Sequence, residues 1–310
     1  MPQLIRSEPR EWGYVAYSGN ILFGSGRRQG ASYTKTSYEA DNALWHRNMK
    51  LVVSDYLFAV DKASTRELWE YKGGLILNTT ITIGDGRIYF LETYSPKALA
   101  DKLGRMPAKI LFDGGDQNLL ALDDQTGQII FKEKIDVRNF EEPVYINYAK
   151  DTLLLSGSRL VENSIHYYYY AFDARSGKVR WEADHNTNLA RDGGHGEYNR
   201  HPTIIDQTVY AWPYRYNLKT GGKIDGWKFN RHGHGCGGIS ASAQCLFWRG
   251  GNPWIYDLGP NGGPRQLDKV TRPGCWINII PAGGLVLIPE SSSGCTCSFP
   301  LQTSMAFVPK

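Results

Sequence analysis

One phrase recurs along this chain every 40–65 residues and limits what it can fold into. It is a short apolar strand, an acidic or amide residue, a glycine-type turn, then an aromatic residue. It reads Phe58-Ala59-Val60-Asp61 before Trp69, Ala121-Leu122-Asp123 with Thr126-Gly127 before Phe131, and Ala171-Phe172-Asp173 with Ser176-Gly177 before Trp181. A degenerate copy is Tyr216-Asn217-Leu218 with Thr220-Gly221 before Trp227. Ile255-Tyr256-Asp257 and Met305-Ala306-Phe307 begin two more copies whose second halves have decayed. In the first three copies the aspartate and the aromatic residue stand eight positions apart. A fixed offset repeated at this period means that one supersecondary unit is repeated.

A second pattern fills in the unit. Turns followed by apolar strands occur at Gly19-Asn20, Asp85-Gly86, Lys150-Asp151, Asp206-Gln207, Ala243-Gln244 and Gly283-Gly284. Another short strand precedes each of these turns, at residues 12–17, 78–83, 143–148, 202–205, 238–242 and 277–280. With the two strands of the aspartate phrase, each unit has four antiparallel strands, a to d. The reading is all-β: a β-propeller of four-stranded antiparallel blades in a single domain over residues 1–310, with six blades visible and six to eight the expected range. Helical periodicity is nearly absent, and only residues 96–106 suggest a helical turn or two within a loop.

The Asp-x-x-Ser/Thr-Gly-x-x-x-Trp/Phe phrase resembles the PQQ-like β-propeller repeat of quinoprotein dehydrogenases and of the outer-membrane assembly propeller. The tail, with Cys275, Ser291-Ser292-Ser293-Gly294-Cys295-Thr296-Cys297 and Gln302-Thr303-Ser304, is similar to the last blades of PQQ-like propeller proteins of planctomycete-type bacteria. The resemblance implies the fold over residues 12–310 and leaves the activity open, because these blades serve both redox enzymes and scaffolds. PQQ dehydrogenases carry an adjacent Cys-Cys pair against the quinone and a Glu/Asn/Asp calcium cluster. This chain has no Cys-Cys dipeptide and shows no such cluster, which speaks against PQQ.

Net charge is +4, with no run of Lys or Arg, which argues against nucleic acid as a partner. No stretch has the ~18 apolar residues of a membrane span. The first ten residues lack the apolar core of a signal peptide. The expected location is nevertheless the periplasm or the cell exterior, with a signal removed, and the cytoplasm is the alternative.

Candidate chemistry gathers on one face. In a blade, the d–a and b–c connections emerge together, and here they are long and irregular. Five of the seven histidines lie between positions 185 and 234 on these connections. The lead-in to blade 4 carries His185, His195, Tyr198, Arg200 and His201, and that to blade 5 carries Arg231, His232, His234 and Cys236. A loop histidine by itself is commonly only a surface group. Five of them interleaved with glycines point to a site. His232, His234 and Cys236 alternate along the chain, a spacing that suits zinc or a similar divalent metal. Cys245, mid-strand in an apolar run, reads as a buried free thiol.

Two functions follow. In the first, a polysaccharide lyase cleaves uronic-acid-containing polysaccharide by β-elimination. His195, Tyr198 and His201 are then candidate bases, and Arg200 and Arg231 neutralise the substrate carboxylate. In the second, the propeller is a non-catalytic scaffold that binds a protein or a glycan with the same face. A haem or copper redox centre has the least support, since no Cys-x-x-Cys-His occurs.

The sixth repeat ends after its third strand, and an open strand edge there would expose unpaired backbone groups. Residues 4–10 are therefore expected to pair with residues 304–308. Cys236, Cys275, Cys295 and Cys297 are expected to form at least one disulfide, with metal ligation second. Such a bond stabilises by about 2–4 kcal/mol. Thiol titration in denaturant without reductant will find fewer than five reactive cysteines. Five reactive thiols in the metal-free protein would rule the disulfide out.

Overall fold

The repeated aspartate builds a turn. Asp123 Oδ1 accepts hydrogen bonds from the backbone N–H of Gln125 and Thr126 and from the Thr126 hydroxyl, at 3.1, 2.8 and 2.8 Å. Asp173 receives the equivalent set from Arg175 and Ser176 at 2.9, 3.0 and 3.1 Å. Asp61 receives Ser64, and Asn217 receives Lys219 and Thr220. In all four copies the backbone N–H four residues on also bonds the carbonyl of the Asp or Asn. That fourth position is left-handed, with φ of 58° at Thr65 and 69–71° at Gly127, Gly177 and Gly221. Glycine meets this requirement without a Cβ penalty. These bonds to the charged form hold the carboxyl of Asp123 below its ordinary range, the Thr126 hydroxyl contributing most. At Asp173, Arg180 contributes most and the pKa falls to about 2.

The computed structural model describes residues 11–31, 49–191, 200–227, 229, 231, 237–274, 279–290 and 303–308. Blade 1 is β1 (Glu11–Ser18), β2 (Ile21–Arg27), β3 (Lys50–Asp61) and β4 (Glu67–Leu77). Blade 2 is β5 (Thr82–Gly84), β6 (Arg87–Thr93), β8 (Gln117–Asp123) and β9 (Ile129–Lys134), with α1 (Pro96–Ala100), β7 (Arg105–Pro107) and α2 (Ala108–Leu111) inserted. Blade 3 is β10 (Tyr145–Ala149), β11 (Thr152–Val161), β12 (Ser164–Asp173) and β13 (Val179–Arg191). Blade 4 is β14 (Thr203–Ile205), β15 (Thr208–Ala211) and β16 (Tyr214–Asn217). Blade 5 is β17 (Ser240–Ala241), β18 (Cys245–Gly250), β19 (Asn252–Asp257) and β20 (Pro264–Gln266), and blade 6 is β21 (Ile280–Ala282), β22 (Leu285–Ile288) and β23 (Met305–Phe307). Within each blade, successive strands pair in order, and blades 1 and 2 are further joined by an antiparallel pairing of β4 with β6. The fold is the all-β, blade-built class expected from the repeats.

Two details differ from the sequence reading. Among the described residues, blade 4 makes after its turn an isolated bridge, Tyr216 to Lys223, in place of a fourth strand, and a second turn follows at Asp225-Gly226. The segment after Pro96 holds the expected helical turn, capped by the Ser95 side chain, but then supplies β7, which pairs with the start of β3. Residues 277 and 278 and the N-terminal partner expected for β23, residues 4–10, lie outside the described residues.

The chain forms two compact bodies, Met1–Leu160 with Tyr167–Asp184 and Val161–His166 with His185–Lys310. In the first body, β6 and β8 are buried on both faces. Ile88, Phe90, Leu120 and Leu122 join Phe23, Leu57 and Trp69 in one cluster, while Tyr89, Leu91, Leu119 and Ala121 join Leu153, Leu155 and Phe172 in another. The period-2 alternation of a strand thus feeds two inter-blade layers.

In the first body the aromatic residues Trp69 and Phe131 dock on the next blade's turn. A Cβ at Gly127 would stand 2.6 Å from the Trp69 ring, and Trp69 Nε1 donates to the Asp124 carbonyl at 2.9 Å. A Cβ at Gly177 would stand 2.6 Å from the Phe131 ring, and Lys178 pairs with Glu133 beside it at 2.9 Å. In the second body, innermost strands are linked by hydroxyls. Thr203 Oγ1 donates to the Ile239 carbonyl at 2.7 Å and Ser240 Oγ to that of Ile279 at 2.6 Å.

Trp69→Ala is expected to cost about 3–5 kcal/mol of unfolding free energy. Gly127→Ala costs about 1–2 kcal/mol for the left-handed backbone, and more for displacing the indole. Because both variants break one contact, the double variant will lose less than the sum in denaturant titrations. Additivity to within about 0.5 kcal/mol would refute the docking account.

Candidate functional site

Of the residues singled out by the sequence on this face, His185, Arg200, His201 and Arg231 are described, and all four belong to the second body. His195, Tyr198, His232, His234 and Cys236 lie outside the described residues, as do Cys275, Cys295 and Cys297. Cys245 is a free thiol, half-buried rather than fully enclosed, and burial pushes its pKa up.

The lead-ins of blades 4 and 5 do come together. A Cβ on Gly238 would stand 3.2 Å from Cε1 of His201, so the glycine is what lets the imidazole lie against this backbone. Desolvation lowers the His201 pKa to about 4. This imidazole is therefore neutral at pH 7 and a much weaker base than the ordinary histidine expected there. Arg231 donates from Nη1 to the Gly237 carbonyl at 2.9 Å and from Nη2 to the Arg249 carbonyl at 3.3 Å. Its guanidinium fork clips two backbone segments of blade 5 together. Arg200 stacks on Trp212, its Cζ 4.3 Å from the ring centre.

His185 has the best-defined environment of the described histidines. Nε2 lies 3.1 Å from the Trp212 carbonyl, which only accepts, so Nε2 carries the proton. Nδ1 accepts from the Tyr216 hydroxyl at 2.8 Å. The ring stacks on Tyr216, with centres 5.9 Å apart, and meets Tyr214 edge-on at 5.1 Å. Burial is the main cause that lowers its pKa to about 4; the Trp212 carbonyl opposes the shift, and the charges of Lys223 and His166 add to it. Asn186, on the other face of β13, donates to His166 Nε2 at 3.0 Å and accepts from the Ser164 hydroxyl at 2.5 Å. The sequence reading placed His185 on the connection into blade 4; it lies instead within β13, and it is buried there.

Beside these lie three cations on rings: Arg200 on Trp212, Lys223 on Tyr214 at 3.4 Å and Arg215 on Trp227 at 5.1 Å. Trp212 and Tyr214 flank Pro213, and both are held by His185, one through its carbonyl and one through its ring edge.

The sequence reading also missed a polar cluster in the first body. Glu92, fully buried, accepts from the Tyr71 hydroxyl at 2.7 Å, the Gly74 N–H at 2.9 Å and Asn118 Nδ2 at 3.3 Å, and pairs with Lys132 at 2.6 Å. Burial, reinforced by Glu92, pushes the Tyr71 phenol far above its usual range. Desolvation opposes the Lys132 charge, but hydrogen bonds to Glu92 and Tyr94 outweigh it and raise that pKa. A Cβ on Gly73 would collide with Tyr71 and Glu92, so the cluster is closed. Also in this body, a 270 Å³ cavity is lined by Lys134, Asp136, Asn139, Tyr170, Phe172 and Glu182. Among the described residues, no three His, Cys, Asp or Glu side chains are grouped to hold a metal, and no helix is long and apolar enough to cross a membrane.

No protein-family model matches the chain, and no curated protein matches it. Among solved structures, it is similar to BamB from Moraxella catarrhalis, at 13% identity and a TM-score of 0.46 over 90% of this chain and 71% of that one. It is similar to quinohemoprotein alcohol dehydrogenase ADHIIG from Pseudomonas putida HK5, at 11% identity and a TM-score of 0.47 over 89% of this chain. It spans half the length of that dehydrogenase. The computationally designed Ika8 protein is also similar, at 9% identity and a TM-score of 0.39 over 97% of this chain and 96% of that one.

The depressed histidine fixes the sign of a pH effect. The folded state keeps His185 neutral down to about pH 4, whereas the unfolded chain takes up the proton near pH 6.5. Its contribution is therefore fully present above pH 6.5 and is lost between 6.5 and 4, at about 1.4 kcal/mol per pH unit. His201 acts in the same direction. Asp173, with a pKa of about 2, loses its contribution only at lower pH, from about 4 downward. Thermal melts from pH 7 to 4 are expected to fall less steeply for His185→Gln than for the parent. Equal slopes would mean that His185 titrates normally.

Proposed function

We propose that this protein is a non-catalytic propeller of the PQQ-like kind, a scaffold that binds a glycan with the face carrying the lead-ins of blades 4 to 6. The observation that carries this reading is the employment of its candidate catalytic groups. Arg231 spends its guanidinium on the carbonyls of Gly237 and Arg249. His201 and His185 are desolvated, neutral groups. β-Elimination needs a base of suitable pKa and a cation aimed at the substrate carboxylate. These side chains instead shape and stiffen a surface, which is what a binding scaffold requires. A location outside the cytoplasm accords with both a glycan partner and the expected disulfide.

The test pairs two measurements on the same samples. Calorimetric titration with polysaccharides will give saturable binding, while the ultraviolet absorbance of unsaturated uronate products stays flat. Zinc analysis of the same preparation examines His232, His234 and Cys236. Turnover of a uronate polymer that drops roughly 10²–10⁴-fold in Tyr198→Phe and His201→Ala would replace the scaffold reading with the lyase.

A further inference from the structure

Lys223 is an exposed lysine that meets no carboxylate among the described residues. Its ammonium instead rests 3.4 Å from the centre of the Tyr214 ring. Its backbone is anchored by the bridge to Tyr216, and the Tyr214 ring is braced edge-on by His185. Across Pro213, Trp212 repeats the arrangement with Arg200 on its face, its own carbonyl fixed by His185. A solvent-facing lysine normally loses little by staying mobile. Here the charge is held over a ring that neighbouring contacts keep in place.

Resting on the scaffold reading, we infer that Lys223 with Tyr214 and Arg200 with Trp212 form a subsite for a uronate-bearing glycan. Sugars offer two features to such a surface. Their C–H faces lie against half-exposed aromatic rings, and a ring carboxylate accepts from the exposed Lys223 ammonium. A cation already positioned on its ring costs little further ordering when the carboxylate arrives. Nucleic acid would use the same ring-and-cation chemistry, but it calls for a continuous basic track. A net charge of +4 with no basic run does not provide one.

The full chain is titrated by calorimetry, near neutral pH, with hexagalacturonate, its methyl ester, a neutral xylo-oligosaccharide and a single-stranded oligonucleotide. Hexagalacturonate is expected to bind, and its neutral methyl ester to bind about 10-fold more weakly. Lys223→Gln and Tyr214→Leu each weaken hexagalacturonate about 5–20-fold. The ester's affinity is unchanged in Lys223→Gln, which also keeps the parent melting temperature. If the parent binds hexagalacturonate and Lys223→Gln binds it equally well, the subsite is wrong and the scaffold reading stands. If only the xylo-oligosaccharide binds, the subsite again fails alone. Binding of no glycan overturns both, and tighter binding of the oligonucleotide overturns the choice of ligand.

Discussion

An aromatic ring can come within 2.6 Å of where a neighbouring residue's Cβ would stand only if that residue is glycine. Trp69 on Gly127 and Phe131 on Gly177 meet this condition, and the rest of the first body depends on it. The same glycine has a second reason to be there, because its left-handed φ closes the aspartate turn. One residue type thus answers to a local constraint within its own blade and to a packing constraint from the preceding one. The indole N–H of Trp69, bonded to the Asp124 carbonyl, fixes the ring along the turn as well as above it. The eight-residue offset is the distance along a hairpin from the turn-forming carboxylate to the position that faces the next blade.

The second body relies on other contacts. Trp227 meets Tyr256 at 4.8 Å and Phe229 meets Trp248 at 4.6 Å, so ring-on-ring packing stands where ring-on-glycine packing stood. Hydroxyl bonds from Thr203 and Ser240 to the next innermost strand add directionality that an apolar contact lacks. Arg231 then joins the start of blade 5 to its second strand through two carbonyls. Polar side chains on the lead-ins therefore carry packing that the decayed turn phrase no longer supplies.

This difference explains what could be read in the sequence. The six blades were legible because their signals are short-range: the Asx turn and its left-handed residue in the first four, and the alternation of apolar residues throughout. The docking of Trp69 was legible as a period, though not as a contact. Glu92 was invisible, since it sits within the apolar run of β6 and takes its partners from β4, β8 and β9. Lys223 on Tyr214 was equally hidden, because it depends on the bridge that sets Lys223 opposite Tyr216 after the blade 4 turn. Of the candidate site, the adjacency of the blade 4 and blade 5 lead-ins was inferred from blade order. The use of Arg231 as a backbone clip and the neutrality of His201 depend on tertiary burial that no spacing reports.

That burial bears directly on chemistry. A general base works by matching its proton affinity to the proton it removes, and desolvation lowers the affinity of an imidazole by disfavouring its charged form. At a pKa of about 4, His201 and His185 remain unprotonated across the physiological range. They hold that form at the expense of driving force for proton abstraction. An acidic substrate could restore the driving force by placing its carboxylate against the imidazole, but His185 already has both nitrogens engaged, by Tyr216 and by the Trp212 carbonyl. Its fixed tautomer instead holds Trp212 and Tyr214 in position, and these are the rings on which Arg200 and Lys223 rest. Physically, then, the histidine of this face acts on the surrounding surface: a neutral, doubly bonded ring at the back keeps two cation-bearing rings in place at the front.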